Sequence, residues 1–181
     1  MLSLGIILII AIGFYSGARR GLVLQIVLTI GYLLSYLVAR IYYIRLGSQL
    51  ELFVPYPSAT ENSTFVFFDH SLGLELDKAF YNAVAFILIV FVGWLLTRFV
   101  GSFLNSLTFF PIVRQANYLG GGMLGFVVSY TAVFLILSIL AMIPMESIQN
   151  ALGQSGLAQM IVKNTPILSN QIYNWWIGTI K

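Results

Sequence analysis

The sequence predicts an all-α fold, an integral membrane bundle of about four transmembrane helices with an amphipathic C-terminal tail. Three observations lead there. Of the 181 residues, 59% are hydrophobic and only 8% charged, whereas soluble domains carry about a quarter charged residues. The mean hydropathy is +0.93. The apolar residues also gather into four stretches, Leu2 to Ala18, Leu22 to Ile44, Ala79 to Val100 and Leu119 to Ile143, each close to the ~20 residues a helix needs to cross the hydrocarbon core. Such a chain has too few polar side chains to cover a water-facing surface, so lipid is its solvent. The expected organisation is a transmembrane domain over 1–146 and an interfacial tail over 147–181.

The first span lacks the positive n-region of a secretory signal and runs into Arg19 and Arg20, so it is read as retained rather than cleaved. At about 1.5 Å per residue, one continuous helix from Leu2 to Ile44 would be roughly twice the hydrocarbon thickness. The chain must therefore turn near Gly17 to Gly21, making the first two spans a tight hairpin. An outer loop over 45–78 follows, in which Pro55, Pro57, Ser58, Thr60, Glu61, Asn62 and Ser63 have loop composition. Phe65 to Phe68 and Leu72, Leu74 and Leu76 suit part of that loop to the membrane surface. The link Gly101 to Tyr118, between the third and fourth spans, is broken by Pro111.

Beyond Pro144 the residues Ile148, Leu152, Leu157, Met160 and Ile161 recur near helical spacing among Gln, Asn and Ser, the pattern of an interfacial helix. Lys163, Asn164 and Pro166 argue against a fifth span. Tyr173, Trp175 and Trp176 cluster at the end, as expected of a chain resting at headgroup level.

Orientation follows from Lys and Arg in the short loops. Arg19, Arg20, Arg98 and Arg114 fall on one side with no acid among them. Arg40, Arg45, Lys78, Lys163 and Lys181 fall on the other, with the six acids Glu51, Glu61, Asp69, Glu75, Asp77 and Glu146. The two short turns are thus expected in the cytoplasm, and the long loop and both termini outside. Arg40 and Arg45 argue weakly the other way.

Candidate functional residues lie on small-residue stripes. Gly13, Gly17 and Gly21 recur every four residues on the first helix, and Gly121, Gly125 and Ser129 do so on the fourth. Gly31, Ser35 and Ala39, and Gly93, Thr97 and Gly101, repeat the device on the second and third. Because lipid gives helices no hydrophobic reason to associate, close backbone approach along such stripes is what can hold them together. The stripes are read as intramolecular packing, with a partner-binding face as the alternative, above all for Gly121 to Ser129. Arg19 and Arg20 are read as cytoplasmic anchors rather than ligands for a phosphate or carboxylate. Arg40 and Arg98 lie near span ends and can snorkel.

No charge sits at mid-membrane, which speaks against a proton pump or ion-coupled transporter. Cysteine is absent, and the formal charge of +3 includes no cluster of four Lys or Arg, so nucleic acid is not an expected partner. His70, the one histidine, stands beside Asp69 near Glu75 and Asp77, but in no metal-ligand spacing. Asn62-Ser63-Thr64 has only the form of a glycosylation acceptor, and Gly120, Gly121 and Gly122 complete no nucleotide motif. No catalytic residue, metal, cofactor or small-molecule substrate is expected. Lipids, other membrane proteins or a second copy are.

The segments Gly17-Ala-Arg-Arg-Gly21-Leu-Val, Asn117-Tyr-Leu-Gly-Gly-Gly-Met-Leu-Gly125 and Ser155-Gly-Leu157 together resemble the CvpA (colicin V production protein) family over most of the chain. The family pattern carries an Asp near the start of the first helix, where this chain has about Ser3, and an Arg-Gly pair where it has Val128 and Ser129. Roles of those charged family residues therefore do not transfer. The resemblance implies a bacterial cytoplasmic-membrane protein connected with production or export of a peptide toxin and with envelope upkeep. An accessory or scaffold role is the first expectation. A small oligomeric channel or transporter subunit, using Asn105, Asn117, Ser129 and Thr131, is the second.

Overall fold

The computed structural model describes residues 1–57, 59–60, 63–73, 75–104 and 114–178, without the side chains of His70 and Arg114. The helices are α1 (Leu2–Arg20), α2 (Leu22–Leu50), α3 (His70–Gly73), α4 (Leu76–Ser102), α5 (Arg114–Leu140), α6 (Glu146–Gly153), α7 (Gly156–Asn164) and α8 (Leu168–Ile172), with a π-helical turn over Tyr173–Ile177. Among the described residues there is no strand.

Four helices, α1, α2, α4 and α5, are long and apolar enough to cross a membrane. Their limits differ from the sequence expectation. The helices α2 and α4 continue into what hydropathy marks as loop, taking in Arg45 to Leu50 and Leu76 to Lys78. Hydropathy detects where lipid ends, whereas the backbone ladder continues until its hydrogen bonds are broken. The fourth long helix is likewise displaced, starting at Arg114 and closing at Leu140, with Ala141 and Met142 in a turn.

The helices α1 and α2 are separated by Gly21 alone, whose φ of +80° ends α1. That left-handed conformation is open to glycine and costs most L-residues about 1–2 kcal/mol. The ladder nevertheless passes through it: Gly21 N–H donates to Gly17 C=O at 3.2 Å, and Gly21 C=O accepts from Gln25 N–H at 3.1 Å.

The chain divides into two compact units. The first comprises Met1–Leu4, Ile41–Ile87 and Phe134–Lys181, and the second Gly5–Arg40 and Leu88–Val133. The tail after Met145 belongs to the first unit, where it shares a core with the helix ends beside it.

In the first unit Phe86 is fully buried, with the rings of Trp176 at 5.7 Å, Tyr43 at 6.2 Å and Trp175 at 6.3 Å. Trp176 is 0% exposed. It belongs to this core rather than to a headgroup-level row of aromatics. The Tyr43 hydroxyl donates to Trp175 C=O at 3.0 Å, fixing the C-terminal turn.

Gln149 on α6 is 3% exposed and uses both ends of its amide. Its Nε2 donates to Ala141 C=O at 3.2 Å and Ile143 C=O at 2.7 Å, while Oε1 accepts from Val66 N–H at 3.0 Å. One side chain thereby closes the turn after α5 and holds the outer loop. Tyr56, with its ring 4.8 Å from that of Phe80 and tilted against it, donates to Met142 C=O at 2.8 Å. Burial first, then the nearby Asp77 charge, pushes its phenol up to about 12, since both disfavour the anion.

Candidate functional site

The glycine stripes are built into two antiparallel helix contacts within the second unit. In the α1–α5 contact, Gly13 faces Ser129, Gly17 faces Gly121 and Gly125, and Gly21 faces Asn117. Residue numbers fall on α5 as they rise on α1, so the helices run in opposite directions. The approach is backbone to backbone. A Cβ at Gly17 would overlap the Gly121 carbonyl oxygen and lie 2.8 Å from Gly125 Cα. One at Gly121 would lie 2.5 Å from the Gly17 carbonyl oxygen, and one at Gly125 would overlap the carbonyl oxygen of Gly13. Neither helix has a flexible side chain there to move aside.

The α2–α4 contact follows the same rule with hydroxyl residues opposite glycines. Gly31 faces Thr97, Gly93 faces Ser35, and Gly101 faces Leu28. The hydroxyls that fill these gaps are satisfied within their own helices: Ser35 donates to Gly31 C=O at 2.8 Å and Thr97 to Gly93 C=O at 2.7 Å. Ser129, opposite Gly13, likewise donates to Phe126 C=O at 3.0 Å. Each Ser or Thr thus fits a glycine gap without leaving a polar group unpaired, as an apolar environment requires.

Asn117 has a role that the sequence reading did not give it. Its Oδ1 accepts from the Leu22 backbone N–H at 2.6 Å. Leu22 begins α2, so this donor has no partner within its own helix. A side chain 95 positions away supplies the acceptor and ties α5 to the α1–α2 turn. The available signal was a single Asn ahead of the triple glycine. Nothing in its spacing marks the donor it serves.

Two further residues of the expected polar path are Thr131 and Asn105. Thr131 donates to Val127 C=O at 2.9 Å, and Asn105 lies outside the described residues. Within the stripe, Gly17, Gly21, Gly121 and Gly125 are buried in this contact, while Gly13 and Ser129 at its far end are partly exposed.

Of the two anchor residues, Arg19 is exposed, with its guanidinium 5.9 Å from the Tyr15 ring. Arg20 is half-buried and points an Nη at Gln25 Oε1, 3.5 Å away. Among the described residues no group of three His, Asp or Glu stands together as a cation site. The glycosylation-like Asn62 lies outside them.

In the first unit, Ser3 and Ser155, noted separately in the sequence, meet at 2.8 Å between hydroxyl oxygens. Ser155 also caps α7, accepting from Ala158 N–H at 3.2 Å. A pocket of about 220 Å³ opens beside Phe67, Phe68 and Phe134, edged by Lys163, Ser169 and Asn170. That is smaller than the ~300–1,000 Å³ typical of small-molecule sites, and Lys163 lies 5.6 Å from the centre of the Phe67 ring.

The description "Colicin V production protein" belongs to the family model that matches residues 2–166. The uncharacterized transmembrane protein YshB of Bacillus subtilis (strain 168) is 31% identical over 176 residues, which cover 97% of each chain. No solved structure matches.

Proposed function

Because the chain belongs to the colicin V production protein family, we propose that it is an accessory or scaffold protein of the bacterial cytoplasmic membrane. It supports production or export of a colicin V-like peptide toxin, and more broadly envelope homeostasis, by contacting other membrane proteins. It performs no chemistry of its own. The observation that carries this reading is the way the polar side chains of the apolar helices are used. Thr29, Ser35, Thr97, Ser129, Thr131 and Ser138 each return a hydroxyl to a carbonyl of their own helix. Glycine-lined contacts join the helices beside them. Such an interior supports holding and docking rather than conducting a polar solute.

Deleting the gene in a host that secretes a colicin V-like toxin is the direct test. Toxin in the medium should fall several-fold and recover when the chain is supplied again, with no solute leak from liposomes containing this protein alone. Unchanged secretion, or a specific leak, would remove the scaffold reading.

Orientation is part of the proposal, with the α1–α2 turn and the α4–α5 link cytoplasmic and the long loop outside. The natural absence of cysteine makes single-cysteine labelling straightforward. In intact cells, a membrane-impermeant maleimide should label Thr64→Cys and leave Gln115→Cys unlabelled until the membrane is opened, both positions being exposed. The reverse pattern would invert the topology.

A further inference from the structure

The second unit contains Arg19, Arg20, Arg40, Arg98 and Arg114 and no Asp or Glu. Where its helix ends meet, two of these arginines converge. The stripe Gln25, Leu28, Tyr32 runs along one face of α2 at helical spacing. Leu28 meets Gly101 of α4, and Gly31, next to Tyr32, meets Thr97, next to Arg98. Arg98 is therefore brought to Tyr32 by the helix contact itself. From α1, Arg20 reaches Gln25 at 3.5 Å.

The cluster has donors in excess. Gln25 is 1% exposed and offers one amide oxygen, which faces Arg20. The Tyr32 hydroxyl is buried and has the Arg98 guanidinium as its neighbour. Arginine accepts no hydrogen bond, so the phenolic proton gains nothing from that neighbour. The two guanidiniums also lie close enough to repel each other, and no carboxylate in the unit offsets that cost. Arg98 is held in place all the same. Its guanidinium lies 5.1 Å over the Trp94 ring, which stacks at 5.8 Å on Phe91. Two oriented cations, a buried hydroxyl donor and no acid call for an anion with several acceptor oxygens. Phosphate fits this set best, because guanidinium forks match its oxygens.

We propose that Arg20, Arg98 and Tyr32 form a phosphate-binding site whose occupant is the headgroup of an anionic phospholipid. Arg20 ends α1 and Arg98 lies one turn before the end of α4, within reach of the headgroups by side-chain snorkelling, with the acyl chains free to run along the exposed apolar side chains Leu95, Phe99 and Ile26. Bound lipid would stabilise the folded state by mass action.

The test uses the full chain purified in a neutral detergent and titrated separately with phosphatidylglycerol, phosphatidylcholine and inorganic phosphate. Thermal midpoint and mass spectrometry of retained lipid are the readouts. Phosphatidylglycerol is expected to bind at least about ten-fold more tightly than phosphatidylcholine, and Arg20→Gln or Arg98→Gln to lose about ten-fold in that affinity. Tyr32→Phe keeps the ring and removes only the donor, so it should fold normally and lose about three-fold. If Arg20→Gln fails to accumulate, the exposed Arg98 and the shape-preserving Tyr32 variant carry the comparison. Saturation by inorganic phosphate, with the same losses in the variants, would support the phosphate chemistry and assign it to a soluble source. Equal phosphatidylglycerol affinity in parent and variants would overturn the site.

Discussion

Replacing Gly121 and Gly125 together by leucine is expected to abolish accumulation of the folded protein in the membrane. At both positions the first added carbon meets backbone of α1 at or inside 2.5 Å, so relief requires the helices to move apart rather than a side chain to turn. Over-packing a soluble core typically costs 1–3 kcal/mol. Here the upper end, about 3 kcal/mol per site, is expected, because separating α1 from α5 also forfeits the dispersion contacts that hold helices together in lipid. The two costs should not add, since the positions share one contact. Gly21 and Asn117 lie one turn further along it, so the Leu22 N–H would lose its acceptor in the same event. Gly5, with nothing within 4 Å of an added Cβ, supplies the control. The measurement is membrane-fraction abundance, followed by resistance of the detergent-extracted protein to protease. Normal abundance and parental protease resistance in the double variant would refute the backbone-contact account, particularly if Gly5→Leu behaved identically.

The second large effect is expected at Gln149. In Gln149→Leu the volume and helix propensity are nearly kept, yet Val66 N–H, Ala141 C=O and Ile143 C=O lose the partner they share. Each buried polar group left unsatisfied costs about 1–3 kcal/mol, so destabilisation of about 3 kcal/mol or more is expected. Denaturant unfolding in detergent, followed by tryptophan fluorescence, would measure it, because Trp175 and Trp176 belong to the same unit. Gln149→Glu should also destabilise, since an ionised carboxylate presents only acceptors to the Ala141 and Ile143 carbonyls. A loss below about 1 kcal/mol in Gln149→Leu would mean that the outer loop and the α5–α6 turn do not depend on this amide.

Neither residue stands out equally in the sequence. The glycines announce themselves by four-residue spacing, and that spacing is a physical fact about one helix: it places bare backbone on one side. Gln149 sits among other polar residues of α6 as one of several candidates for exposure. Its burial depends on loop carbonyls and an N–H brought to it from 83 positions away. Trp176 shows the same limit from the apolar side. A terminal aromatic cluster suits a headgroup belt or a core equally well by composition, and Phe86 and Tyr43 decide in favour of the core.

The sequence by itself determined the class of solvent, the four apolar segments, a turn near Gly17 to Gly21 and the small-residue stripe on each long helix. These follow from composition and from the 3.6-residue period, both local properties of the chain. Tertiary structure decided which stripe meets which: α1 against α5, with backbone facing backbone, and α2 against α4, with hydroxyls set into glycine gaps. It also assigned Asn117 to the start of α2 and brought Arg20 and Arg98 together. In lipid an apolar face is equally at home against acyl chains or another helix, so hydrophobicity cannot choose a partner. Only the fit of one surface to another can.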